Sequence, residues 1–268
     1  MAPTPTPRVR PKPRRREPVT AQVRALLREL QGLGSERNRA GMKRYGINVD
    51  NAYGVSVTEL RRIARRLGRD HDLAAALWKT GKHEARILAC LVEEPERVTA
   101  AQTEAWVKEF DSWDLCDQVT CSLFDKTKYG WPKARQWSAR RQEWTKRAGF
   151  SLMAGLASHD ERADDASFIA LLPLIEQGAF DERNFVKKAV NWALRGIGKR
   201  NAKLNAAAIR SAERILKQAD ARSRKGRAKG ARSRNVDAAV RAARWVARDA
   251  LRELSSEKIR ARLSPRAG

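Results

Sequence analysis

Val23, Leu26, Leu27, Leu30 and Leu33 recur at three- and four-residue intervals, the spacing that gathers apolar side chains on one face of a helix. Thr20 stands where an N-cap belongs and Gly34 where a helix stops. The same period predicts helices over Val57–Leu67, ended by Gly68, and Leu73–Trp78, ended by Gly81. His83–Glu93 follows, stopped by Pro95, and Thr99–Phe110 ends at Asp111–Ser112. Trp113–Phe124, Lys133–Arg140, Trp144–Ala157, Ala163–Glu176, Glu182–Ile197, Ala202–Ala219 and Val236–Leu254 complete the series. The alternation of a β-strand is not evident in any segment.

A succession of short amphipathic helices joined by short turns predicts an all-α fold. Neighbouring helices would pair and stack as in a HEAT-like solenoid, whose inner helices form a groove. No motif repeats at a fixed period, so the repetition is read from helix spacing alone.

Charge changes this picture more than any other property. Lys and Arg number 56 against 31 Asp and Glu, a formal net charge of +25 over 268 residues. A field of that sign attracts polyanions: DNA, RNA or an anionic membrane surface. Residues 1–18 are rich in Pro and Arg and are expected to be a disordered tail; residues 221–235 hold seven Lys/Arg and no acid and read as a basic linker. These divide the chain into a tail, a helical-repeat domain over 19–220, the linker, and a C-terminal helix and tail over 236–268. The two basic segments carry about half of the excess, so the folded body, and with it the groove, is basic too.

No apolar run approaches the ~18 residues of a membrane span, and the N-terminus lacks the apolar stretch of a secretory signal. Cys90, Cys116 and Cys121 read as buried or half-buried thiols in a reducing cytoplasm. With His71, His83 and His159 far apart, neither residue type has zinc spacing, and no metal or other cofactor is expected.

Three segments bring aromatic and charged residues together. In Phe110–Asp117 a helix start carries Asp111 or Ser112 as its cap, with Asp111, Asp114 and Asp117 crowded about the first turn. Trp113 and Asp117 are four apart and share a face; that is either a capped helix with one core tryptophan or an aromatic wall beside a carboxylate. In Phe185–Arg195, Trp192 shares a helix with Lys187, Lys188 and Arg195. In Trp144–Phe150, Lys146 and Arg147 open an apolar helix. Cations, aromatics and a carboxylate suit work on nucleic acid, although each basic cluster also fits a solvated helix face.

The stretches YGVSVTELRRIAR, LWKTGKHEARILACLV, FDSWDLCD, EWTKRAGFSLM and NFVKKAVNWALRGIGKR, in this order, resemble the DNA alkylation repair family of AlkD-type alkylpurine DNA glycosylases. The similarity runs roughly from Gly41 to Lys203, and the closing ARWVARDALREL is also similar. The resemblance implies a HEAT-like solenoid. It implies that Asp117 is the catalytic carboxylate, with Trp113 four residues before it and Trp192 as the second active-site tryptophan. It makes Arg147 a DNA-backbone contact, and Lys146, Lys187, Lys188 and Arg195 extend that contact surface. The chain departs from the family pattern around Tyr45–Tyr53 and in its two basic segments. The implied substrate is double-stranded DNA carrying alkylated purines, acted on by a cytoplasmic, nucleoid-associated monomer, without a base-flipping pocket.

Such a site matches a specific chemistry. A purine alkylated at N3 or N7 is cationic and leaves as a neutral base, so no general acid is required. The sugar develops oxocarbenium character, which aromatic faces and a carboxylate stabilise. On this reading Asp117 lies outside the core, and its replacement is expected to leave folding nearly unchanged. Two other functions fit the charge, a non-catalytic protein that holds damaged or branched DNA and an RNA-binding protein; a third, a scaffold for an acidic protein, leaves the charge of +25 less well explained. A pure binder has no need of the Trp113, Asp117 and Trp192 set.

Overall fold

The computed structural model describes residues 18–228 and 234–264, and every regular element among them is helical. In chain order these are α1 (Val19–Gly32), α2 (Glu36–Arg44), α3 (Val57–Leu67), α4 (His71–Trp78), α5 (His83–Val92), α6 (Ala100–Lys108) and α7 (Trp113–Ser122). A 3₁₀ turn, Phe124–Lys126, leads to α8 (Gly130–Ser138), α9 (Glu143–His159), α10 (Asp165–Ile169), α11 (Leu172–Gly178), α12 (Asn184–Gly198), α13 (Ala202–Ala228), α14 (Arg234–Leu254) and α15 (Glu257–Leu263).

The apolar stripes fix how these helices stack. Helices α3, α5, α7, α9, α12 and α14 pack in succession as an inner layer. Behind them, α4 pairs with α5, α8 with α9, α11 with α12 and α13 with α14. This is a HEAT-like solenoid of helix pairs. The outer layer is tied by aromatics: the Trp78 and Trp106 rings stack with centroids 3.9 Å apart, and Phe124 contacts both Trp106 and Trp137. Trp137, Phe124 and Phe150 are fully buried, each side chain contributing about 1.5–3 kcal/mol of hydrophobic stabilisation. Close approach of α8 to α9 requires Gly149, because a Cβ there would stand 2.3 Å from the Ser138 backbone nitrogen.

Several boundaries differ from the sequence expectation. Helix α1 starts at Val19, with the Pro18 carbonyl accepting from the Ala21 and Gln22 amides, so Thr20 lies inside the helix rather than at its cap. The helix expected over Ala163–Glu176 is two, α10 and α11, because Pro173 has no N–H to donate and its ring clashes with the preceding turn. Helix α2 was not expected: none of its residues is buried, so it has no apolar stripe to read, although Ser35 caps it and Lys43 and Arg44 close its last turn.

The linker expected over 221–235 is largely helix. Helix α13 continues to Ala228, with Arg222 stacked 3.6 Å from the Phe180 ring centroid, and α14 begins at Arg234. Residues 229–233, and the tail expected over 1–18 except Pro18, lie outside the described residues. The C-terminal helix is no appendage. Helix α14 packs along α12 and α13, and the Asn191 side-chain amide donates to the Val246 carbonyl at 3.1 Å.

Candidate active site

The N-termini of α5 and α7 lie along one edge of the inner layer, and the stretch from Tyr45 to Val55 runs beside them. Buried Glu84, in the first turn of α5, accepts hydrogen bonds from the amides of Tyr53, Gly54 and Val55 at 2.7–3.2 Å. A carboxylate there satisfies three backbone donors at once and lies where the helix dipole favours negative charge. The stretch continues to Asn48, which donates to Asp111, and to Tyr45, whose carbonyl accepts from Trp113 Nε1 at 3.0 Å. Gly46, with φ of 76°, lies against Phe185 of α12; a Cβ there would stand 2.9 Å from Cζ. The segment that departs from the family pattern thus sets the orientation of Trp113.

The acids around the start of α7 are separated by their partners. Asp111 takes Asn48. Asp114 pairs with buried His83 at 2.8 Å, and Asp117, a turn deeper, pairs with Arg147 of α9. Ser112 is the N-cap residue, yet its hydroxyl makes no cap hydrogen bond and leans to Asp111. Burial disfavours both charges of the His83–Asp114 pair, but mutual attraction outweighs it: His83 is raised and Asp114 lowered from their ordinary values.

Arg147 grips Asp117 with two parallel hydrogen bonds, Nε to Oδ1 at 3.1 Å and Nη2 to Oδ2 at 2.6 Å. Its Nη1 donates to the Phe185 carbonyl at 2.6 Å, and Ser151 Oγ donates to Asp117 Oδ1 at 3.0 Å. The Arg147 side chain is 6% exposed and that of Asp117 16%. Burial pushes the Asp117 carboxyl above its ordinary value, with Arg147 and Ser151 pulling the other way. Arg147 therefore lies at the carboxylate and not as a free cation for phosphate. The expectation that Asp117 lies outside the core does not hold, since removing it would strand a buried charge.

Two cavities open on this layer. The first, of about 840 Å³, is roofed by α2 and lined by Arg37, Arg44, His83, Trp113, Asp114 and Gln118. The second, of about 410 Å³, is lined by Asp117, Gln118, His159 and Trp192, with Arg61 and Lys126 at its border. Asp117 and Trp192 thus share one cavity, while Trp113 lines its neighbour, with Gln118 on the wall of both. Trp113 and Trp192 are half-buried and stand outside the apolar core that takes Trp78, Trp106 and Trp137.

The other basic residues named from sequence are mostly committed elsewhere. Lys146 pairs with Asp181 at 2.8 Å. Burial disfavours the Asp181 charge, but hydrogen bonds from Arg183 and Lys146 outweigh it and hold its carboxyl at about 2. Arg195 pairs with Asp249 and Glu253 of α14, and Lys187 lies over the Trp245 ring. Lys188 is exposed. The exposed cations beside the cavities are instead Arg61 and Arg65 of α3, which adjoin the Lys126 border. They were missed as site residues, though the run Leu60–Arg66 shows them: its buried residues Leu60, Ile63 and Ala64 force the arginines between them outward.

Cys90 and Cys116 are buried and Cys121 half-buried. Burial pushes the Cys90 and Cys121 thiols up to about 12, which removes them as nucleophiles. Each histidine has one carboxylate partner: His71 with Glu93, His83 with Asp114, and His159 with Asp125.

Residues 26–254 match the family described as DNA alkylation repair enzyme. An uncharacterized protein of Listeria innocua, Lin0241, is 25% identical over 168 residues, covering 62% of this chain and 73% of that protein. Among solved structures, a protein from a family related to the HEAT-like repeat DNA glycosylases, with affinity for branched DNA structures, superposes with a TM-score of 0.65. It is 21% identical and the match covers 71% of this chain and 82% of that one, a likeness of fold. No described helix is long and apolar enough to cross a membrane.

Proposed function

The chain belongs to the DNA alkylation repair enzyme family, and on that footing we propose that it hydrolyses the N-glycosidic bond of cationic N3- and N7-alkylated purines in double-stranded DNA. The observation that carries this reading is the cavity shared by Asp117 and Trp192, bordered by Arg61 and Lys126. Arg61 would hold a backbone phosphate, and Lys126, whose Nζ donates to the Cys121 and Ser122 carbonyls, would add positive potential. Between them, the carboxylate and the indole face would meet the positive charge that grows on the sugar as the base departs. Trp113, held by the Tyr45 carbonyl, would extend the aromatic wall. Lys146, Lys187, Lys188 and Arg195 would add positive potential at longer range, in part offset by their acidic partners. A cytoplasmic, nucleoid-associated monomer fits this role.

The reaction requires no acid on the leaving base, because the alkylated ring already carries the charge it loses. Duplexes bearing 3-methyladenine, 7-methylguanine, uracil or 8-oxoguanine test this directly. Strand breaks after alkali are expected with the first two only. Efficient uracil release would overturn the mechanism, since that base leaves poorly without protonation or hydrogen bonds.

A second reading, binding of branched or damaged DNA without cleavage, is favoured by one observation. Both Asp117 oxygens are occupied by Arg147 and Ser151, an arrangement that also fits a purely structural pair. Base release separates the two.

A further inference from the structure

Hydrolysis needs an acceptor for the proton of the attacking water, and Asp117 is poorly placed to be one. Its two oxygens accept from Arg147 Nε, Arg147 Nη2 and Ser151 Oγ. A protonated Asp117 would weaken these bonds and leave Arg147, its side chain 6% exposed, without its counter-charge.

The same cavity contains a second carboxylate-supported group. His159, at the end of α9, is 47% exposed and lines the wall with Asp117 and Trp192. Its Nδ1 lies 2.5 Å from Oδ2 of Asp125, in the 3₁₀ turn, whose side chain is fully buried. Asp125 Oδ1 accepts no hydrogen bond and has only the Lys126 ammonium, 3.8 Å away, so the imidazole is the hydrogen-bond partner that the buried side chain is held against. The position is built: Gly155, one turn before His159, leaves α9 bare where the carboxylate approaches, and a Cβ there would stand 3.2 Å from Oδ2. A carboxylate on Nδ1 fixes the proton on that nitrogen and leaves Nε2 with a free lone pair, the arrangement of a supported general base.

We propose that His159, positioned by Asp125, is the general base that activates water in this cavity; the inference rests on the hydrolytic reading of the same site. Water oxygen bonds to C1′ while one of its protons passes to His159 Nε2. The C1′–N bond breaks with its electron pair going to the alkylated ring, which leaves as a neutral base. The products are the free purine and an abasic sugar with a 1′-hydroxyl, and the imidazolium returns its proton to solvent. Asp117 keeps its charge throughout and acts on the sugar electrostatically. The imidazole meets Asp125 of the 3₁₀ turn, and the other charged, thiol and aromatic groups lining its cavity are Lys126 of that turn, Asp117 and Cys121 of α7, Arg61 of α3, and Trp192 of α12. Arg200, after α12, caps the nearby Ala157 and Asp160 carbonyls.

The test is single-turnover release of 7-methylguanine from methylated duplex DNA, with the full chain in excess, between pH 5.5 and 8.5 and corrected for spontaneous loss. Melting curves accompany each variant. For the wild type the rate should fall towards the acid end of the range, giving an acid limb, because a general base acts only in its unprotonated form. His159→Gln should lower release about a hundredfold at the upper end of the range and abolish the acid limb. Asp125→Asn should lower release less than His159→Gln and retain the limb, because the imidazole remains but loses the carboxylate that orients it. If His159→Gln keeps the acid limb, whether its rate is unchanged or uniformly lowered, the general-base assignment falls while the hydrolytic reading stands. If the wild type releases no base at any pH, both fall.

Discussion

Arg147 and Asp117 form a buried, two-point ion pair between α9 and α7, with Nε to Oδ1 at 3.1 Å and Nη2 to Oδ2 at 2.6 Å. The pair sits behind the cavity that Trp192 lines, so it serves the packing of the inner layer and the electrostatics of the site together. Removing one partner of such a pair costs about 3–5 kcal/mol, because the other charge stays buried alone. Asp117→Asn should therefore lower the melting temperature as well as base release. The double variant Asp117→Asn/Arg147→Met should recover much of the lost stability without recovering excision. Calorimetry with base-release kinetics on the three proteins checks this; equal melting of Asp117→Asn and wild type would show that the pair bears no structural load.

His83 and Asp114 give a pH signature. Burial opposes the imidazolium, yet Asp114 raises it above its ordinary value, and the same pairing lowers Asp114 despite its burial. A raised histidine stabilises the fold fully below its unfolded value of about 6.5, and that stabilisation is lost as pH rises through the folded value. The depressed Asp114 acts at the other end: its contribution is present above about 3.9 and is lost as pH falls through its lower folded value. Wild-type stability relative to Asp114→Asn should be greatest between about pH 4 and 6.5 and decline on the alkaline side. Paired denaturation curves across that range measure it; a constant difference would contradict the pairing.

Glu84 holds the Tyr53–Val55 backbone through three amides. Glu84→Gln keeps the shape but weakens charge-assisted bonds at a buried site, and should destabilise by about 2–4 kcal/mol. Gly46→Ala should cost about 1–2 kcal/mol from its positive φ and push the Tyr45 carbonyl away from Trp113. In both variants Trp113 should become more mobile, which fluorescence quenching in a background with other exposed tryptophans replaced would report.

The sequence carries the stacking order well and the site only in part. Val57–Leu67 is found with its expected bounds because its stripe, Leu60, Ile63 and Ala64, is buried and its stop is a glycine. Helix α2 escaped because it buries nothing. The linker misreading has a related cause: Arg222 looks like a solvated charge in the chain, but its guanidinium covers the Phe180 ring. Within the site, i to i+4 spacing places Trp113 and Asp117 on one helix face, yet cannot show that Gln118 stands on the wall between their two cavities. The partner of a charge is a tertiary fact. Nothing local tells that Arg147 meets Asp117, that Arg195 meets α14, or that His159 meets Asp125.

Salt dependence separates the free cations from the paired ones. Arg61 and Arg65 are exposed beside the cavities, so each alanine substitution should reduce the slope of log K against log salt by about one. Arg195→Ala should change it little, because Asp249 and Glu253 already neutralise that charge. Removing residues 1–17 should flatten the slope further and weaken binding to all sequences alike. Fluorescence titrations of duplex DNA over a range of salt decide these cases; an equal effect for Arg195 and Arg61 would contradict the assignment.

On the proposed function, this chain releases bases from DNA and does not merely hold the duplex. The most direct test is the release of free purine from methylated duplex DNA under single-turnover conditions, against spontaneous loss in the same buffer. Free 3-methyladenine and 7-methylguanine should appear in step with alkali-labile abasic sites, with a loss of about a hundredfold or more in Asp117→Asn protein shown to be folded. Tight, salt-sensitive binding of the same duplex with no base released above the spontaneous rate would contradict this function.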